Sequence, residues 1–425
     1  MYRVRISFVV ILLLVISAGV ALAGDVTRTV LPNGLVLVVK QNQLSELVAI
    51  DLMIKATVFD EPADQSGVRA LLQDLLLDSA RGSEVEQWGA QLQGDVGLDY
   101  ADFTATVISD GFTPTITALA HLLRQSSFDY AAFERSKQRR IALLIASREE
   151  SFQQDYLLLR KTLYGDYPYG QSALGQAATV AALSPAQVLE FQRRWFVPNN
   201  TVIAISGNIS PARARRVVED AFGSWPNQPL PERSRPEVTP PKRSDLAVQE
   251  GLSQSAHLLI GFAAPPAGRS REFASFQVVS SLLGRGMSGR LVGLLRNDLG
   301  LAYQVTCFYP TLEQPSHFVV YVVCRLDQID EAKQAVVKEI NRLLQEPVSQ
   351  DELDKTKRYL IGQYRISLQS NRQQAYYLAW YETLGLGADF DEAYLAQIDQ
   401  VTPNTLRQIS PNYLTKMIIA LRLPR

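Results

Sequence analysis

The chain has 425 residues with a formal net charge of −1, 47% of them hydrophobic and 20% charged. That length allows two or more domains with sizeable cores, and the near-neutral balance excludes a basic nucleic-acid surface. Two cysteines and three histidines, none of the histidines paired at ligand spacing, argue against a disulfide framework and a histidine metal cluster alike.

Residues 1–23 open with Arg3 and Arg5, continue through an apolar core from Ile6 to about Val20 and end Ala21-Leu22-Ala23 before Gly24. This pattern predicts a cleaved secretory signal and an exported, periplasmic protein with no stable membrane span after processing. Strands are predicted over Val26 to Gln41, folded back at Pro32-Asn-Gly34, and over Leu47 to Ala56. Asp60, Glu61 and Asp64 then form an acidic loop that reads as solvated, since it lacks regular calcium-loop spacing. A helix opens at Gly67 and runs through Leu77, and another covers Asp129 to Ser147. Glu149 and Glu150 follow as a charge pair at its end, better read as solvated than as metal ligands.

Residues 226–244 carry six prolines between Trp225 and Pro241 and read as an extended linker between a first half, 24–225, and a second, 245–425. In the second half, strands are predicted over Asp245 to Glu250 and Ser255 to Ala263, and a helix over Phe273 to Leu283. Gly284-Arg-Gly-Met-Ser-Gly289 follows that helix instead of a strand, which removes a dinucleotide role and leaves a tight turn aiming Arg290 to Arg296. Two apolar runs, Ala302 to Tyr309 and His317 to Leu326, predict a hairpin holding Cys307 and Cys324, either as a cross-strand disulfide or as two buried thiols. Helices over Asp327 to Leu344 and Gln350 to Tyr364 complete the pattern.

An internal repeat is legible. Val180-Ala-Ala-Leu-Ser-Pro reappears in outline as Ile398-Asp-Gln-Val-Thr-Pro, 218 residues later, each copy leading through a capped helix to an aromatic residue, Trp195 or Tyr413, and then a strand. The expected fold is α+β: two homologous halves, each a mostly antiparallel sheet with helices packed on one face.

Leu31-Pro-Asn-Gly-Leu-Val-Leu-Val-Val39, Leu163-Tyr-Gly-Asp-Tyr-Pro-Tyr-Gly170 and Leu295-Arg-Asn-Asp-Leu-Gly-Leu-Ala-Tyr303 resemble, in order and spacing, the pitrilysin/insulinase-type zinc metallopeptidases. That family carries H-x-x-E-H on its first-half helix, two histidines for zinc and a glutamate as general base. Here the three positions read Ala70, Gln73 and Asp74, and the third-ligand position falls on apolar Ala142 or Leu143. The resemblance therefore implies a chain without metal or cofactor of its own. It also implies that Arg296 and Tyr303, which match the family's second-half arginine and tyrosine, bind substrate backbone and support the tetrahedral intermediate. The implied protein is the non-zinc subunit of a heterodimeric peptidase, whose zinc-bearing homologous partner cleaves a peptide substrate. The alternative is a structural or peptide-binding scaffold without part in catalysis.

Overall fold

The computed structural model describes residues 26–424, apart from 81–83, 91, 126, 148–150, 234, 238–243, 252–253, 285 and 287. The expected signal, Glu149 and Glu150, and Arg285 and Met287 of the glycine-rich turn lie outside the described residues. No helix among the described residues is long and apolar enough to cross a membrane.

Among the described residues, ten strands form two five-stranded sheets. The first contains β1 (Val26–Val30), β2 (Val36–Gln41), β3 (Leu47–Ile54), β4 (Ala101–Ile108) and β5 (Thr201–Gly207), in the order β1-β2-β5-β3-β4. The second contains β6 (Asp245–Gly251), β7 (Ala256–Ala264), β8 (Ala302–Phe308), β9 (Ser316–Cys324) and β10 (Ile418–Pro424), in the order β6-β10-β7-β9-β8. Only β2 with β5 and β6 with β10 run parallel; the other neighbours are antiparallel. The repeat is therefore structural: β2-β5-β3-β4 and β6-β10-β7-β9 share one pattern of directions. Its sequence signature caps the helices Pro185–Trp195 and Pro403–Tyr413, where Ser184 and Thr402 accept from the amides of Gln187 and Thr405.

Local chemistry sets the first hairpin. Pro32-Asn-Gly34 turns the chain with Gly34 at φ +88°, and a Cβ there would stand 2.7 Å from the Asn199 side chain. Asn33 donates to the Phe222 and Trp225 carbonyls at 2.8 and 3.1 Å, tying the turn to the end of the helix Pro211–Phe222.

Each sheet buries one face under helices of its own half and the other under a helix from the opposite half. The helix Ser151–Tyr164 lies on β6, β7 and β10, packing Leu159 and Leu163 against Leu259, Ile418 and Ala420. The helix Asn371–Thr383 lies on β3 and β5, joining Val38, Met53, Val202 and Ala204 to the second-half core. Polar pairs reinforce both crossings. Asp155, 1% exposed, accepts from Arg422 Nε at 2.5 Å and meets His257 Nδ1 at 2.7 Å, so its charge is paired within the interior. His317 is enclosed between the Tyr156 and Tyr164 hydroxyls at 2.5 and 2.9 Å, and burial with the nearby Arg160 pushes its imidazole down to about 3.

One expectation is corrected here and one open alternative is decided. The acidic loop is not solvated: Asp60 and Glu61 side chains are 2% and 3% exposed, paired with Arg233 at 3.2 Å and Arg69 at 3.1 Å, and only Asp64 faces water. The hairpin does not join the cysteines. Cys307 stands opposite Val320 while Cys324 pairs with Ala302 at the far end, so both are free, buried thiols. Burial raises the Cys307 thiol, and burial with nearby Asp327 pushes Cys324 up to about 11.

Candidate functional site

The helix Val68–Ala80 carries the three positions where the resemblance places zinc chemistry. Ala70 is fully buried and supplies no donor atom. The Gln73 amide donates to the Asp102 carbonyl and is committed to the sheet edge. Asp74 is engaged on both carboxylate oxygens by Arg140, through Nε at 2.7 Å and Nη2 at 2.6 Å. One turn further, Asp78 accepts from Ser136 at 2.6 Å and pairs with Arg139. These partners lie on the helix Tyr130–Ala146, whose Ala142 and Leu143 occupy the expected third-ligand position as exposed apolar residues.

A bidentate guanidinium–carboxylate pair fixes both groups geometrically. It stands where a cation would have to be received. Burial pushes the Asp74 carboxyl up, and Arg140 pulls it back toward the charged form. The residues present do not fit zinc: one position has no lone pair, one offers a committed amide, and one is already neutralised by arginine. Among the described residues, no three His, Cys, Asp or Glu side chains group as a metal site. Arg140 escaped the sequence reading because its partner lies 66 residues away.

The second-half residues are placed differently. The chain from Arg290 winds through a short helix into a wide π turn, Gly293–Asp298, where the Leu299 amide reaches the Leu294 carbonyl at 3.0 Å. Leu295 anchors the turn in the core, whereas Arg296 faces solvent. Gly300, at φ +63°, releases the chain into β8, a conformation other residues rarely adopt.

β8 begins with a bulge: Ala302 opposes Cys324 and Gln304 opposes Val323, leaving Tyr303 as the extra residue. Side chains normally alternate across a strand, but here Tyr303 and Gln304 are both exposed, Tyr303 at 63%. Because β8 ends its sheet, Tyr303 stands on a free edge. Neither the Arg296 guanidinium nor the Tyr303 phenol has a hydrogen-bond or ion-pair partner among the described residues. Nothing among those residues ties either side chain to Ala70, Gln73 or Asp74, so the two groups are separate features of one molecule.

A further polar cluster was not singled out in the sequence. Asp51 interrupts the apolar run of β3 on the face covered by the helix Asn371–Thr383. It is 2% exposed, and neither carboxylate oxygen accepts a hydrogen bond among the described residues. Burial and the neighbouring Asp102 hold its carboxyl well above the usual range, with Arg372 opposing. Burial pushes Asp102 itself up to about 7. The visible signal was a lone aspartate inside Leu47-Val-Ala-Ile-Asp-Leu-Met-Ile54.

Residues 182–360 match the family described as the peptidase M16 inactive domain. The uncharacterized zinc protease YmxG of Bacillus subtilis is 24% identical over 358 residues, covering 82% of this chain and 86% of that protein. Among solved structures, a peptidase M16 inactive domain from Pseudomonas fluorescens superposes with a TM-score of 0.86 at 20% identity, covering 94% of this chain and 98% of that one. The periplasmic protease PqqL from Escherichia coli superposes at 0.79 with 14% identity over 94% of this chain, which spans 47% of PqqL. Residues 182–360 therefore carry the peptidase M16 inactive domain, and the duplicated two-sheet fold is shared with the solved M16 structure over 94% of this chain.

Proposed function

We propose that this protein is the non-zinc subunit of an exported two-chain peptidase, supplying substrate-binding groups to a zinc-bearing homologous partner. One contrast carries the reading: the first-half position is sealed by Asp74 and Arg140, whereas Arg296 and Tyr303 stand exposed, with no partner among the described residues, on a π turn and a bulged edge strand. A guanidinium offers fixed donors to peptide carbonyl or carboxylate oxygens, and a phenol can donate to an oxyanion forming at a scissile carbonyl. The open main-chain edge of β8 suits an extended peptide substrate added as a strand. The metal and the general base belong to the partner in this reading. That this chain spans about half of PqqL supports a complete unit of two such bodies. The signal-like residues 1–23 support export, with the periplasm as destination.

Reconstitution with a zinc-bearing relative and a fluorogenic peptide tests the proposal. Tyr303→Phe should lower kcat on the order of 100-fold, as loss of one oxyanion donor does. Arg296→Ala should also raise KM, while both complexes remain assembled. Wild-type turnover by the doubly substituted pair would make this chain a scaffold, and failure to assemble with any zinc-bearing relative would reject the pairing.

A further inference from the structure

The internal duplication exposes a difference between the two halves. β2 and β6 hold the same place in their sheets, each parallel to the last strand of its half. Leu37 pairs with Ile203 as Leu246 pairs with Ile419, and Val39 with Ile205 as Val248 with Leu421. Leu37 and Val39 are each 1% exposed, whereas Leu246 and Val248 are 54% and 51% exposed.

The first half shows what covers this face. The amphipathic helix Pro211–Phe222 lays Ala214, Val217, Val218 and Phe222 into the core containing Leu37 and Val39. It sits against β2 on one side and the helix Phe112–Leu123 on the other, and β1 closes the outer edge of β2. In the second half the helix Ile329–Gln345 takes the place of Phe112–Leu123, following β9 as that helix follows β4. Between it and β10 runs an open groove of about 960 Å³ floored by Leu294, Val337, Met417 and Ile419. Among the described residues, no helix or strand covers it or the outer edge of β6.

Three cations, Lys333, Lys338 and Arg342, stand on the groove's lip. Lys333 and Arg342 are partly compensated by Asp330, Glu339 and Glu346. Lys338, also on the lip, has no carboxylate partner among the described residues. Contiguous exposed apolar residues beside a polar rim mark interaction surfaces, and a helix laid into a groove is a recurrent way of filling one.

We propose that this groove docks an amphipathic helix of a partner chain, with small and branched apolar residues spaced as Ala214, Val217, Val218 and Phe222 and acidic residues against Lys333, Lys338 and Arg342. The groove shares Leu294 with the π turn that carries Arg296, but its occupant does not depend on the peptidase reading.

The probe is a lactam-bridged, fluorescent peptide of the sequence 210–223 with glutamate at the three arginine positions 213, 215 and 216, titrated against the full chain. Saturable binding is expected, with slowed hydrogen exchange confined to the groove's own walls, the helix Ile329–Gln345, the turn at Leu294 and β10 with its neighbour β6. Lys333→Glu with Lys338→Glu, both on the surface, should weaken binding at least tenfold without changing Tm, and Val337→Glu should abolish it. No saturation up to millimolar peptide, protection elsewhere, or equal binding of the arginine-bearing peptide would overturn the proposal. A concentration-dependent dimer lost in the same charge-reversed variant would assign the groove to a second copy instead, and would equally overturn it.

Discussion

Replacing Asp51 by asparagine should stabilise the protein at alkaline pH and flatten its pH dependence. Asp51 lies beneath the helix Asn371–Thr383, facing Asp102 from β4 and Arg372 and Tyr376 from the helix, with Tyr100 and Asp95 beyond. A carboxyl held above its ordinary 3.8 in the folded state binds a proton that the unfolded chain has already released. Stability therefore falls as pH rises from that ordinary value toward the folded one. Each pH unit over which folded Asp51 keeps a proton that the unfolded chain has released costs roughly 1.4 kcal/mol. Asp102, pushed up to about 7, would by itself lose roughly 2 to 3 kcal/mol between pH 5 and 8, less once its like-charged neighbour is gone. Wild type should thus lose more stability over that range than Asp51→Asn, whose remaining slope comes from Asp102. Urea unfolding at pH 5, 6, 7 and 8, followed by tryptophan fluorescence, reads both curves. Other buried carboxyls, such as Glu61 and Asp99, are common to the two proteins and cancel in the comparison. Parallel pH profiles would refute the reasoning, because they would mean that Asp51 carries no proton that unfolding releases.

Arg140→Ala should destabilise by roughly 1 to 3 kcal/mol, since it strands the Asp74 carboxylate, and pairing it with Asp74→Ala should recover part of the loss. A double-mutant cycle in urea that finds the two substitutions additive would deny the pair its role. Unreduced, unfolded protein should titrate two thiols per chain and native protein none, because Cys307 and Cys324 are 3% and 0% exposed and lie at opposite ends of their hairpin; fewer than two after unfolding would restore the disulfide.

The parts of this fold that could be read in the sequence are those whose causes are local. Ser184-Pro185 and Thr402-Pro403 announce their helices because cap and first turn lie within four residues. Pro32-Asn-Gly34 announces its hairpin for the same reason. Asp60 departs from the sequence expectation because its partner is remote, Arg233 arriving 173 residues later, whereas Glu61 is held by Arg69 one helix start away. The register of β8 and β9 escaped because the intervening turn and the bulge at Tyr303 decide it, and residue types in the strands leave several offsets open. In the candidate site, Ala70, Gln73 and Asp74 could be placed on one helix from the motif alone. That Arg140 closes the position could not, because helical periodicity gives a face but not its neighbour. Equally, nothing in Ser151–Tyr164 or Asn371–Thr383 says on which sheet each helix will lie.

Those two crossing helices give the molecule a mechanical character. Each half lends the other the lid of its sheet, a domain swap completed within one chain, so separating the halves would expose both sheets and strand Asp155 among unpaired charges. The proline-dense segment, strapped down by Arg233 against Asp60 and Arg235 against Glu313, is consequently a tether and not a hinge. Any opening that parts the two halves would have to lift both crossing helices off the sheets they cover, uncovering apolar faces on each side.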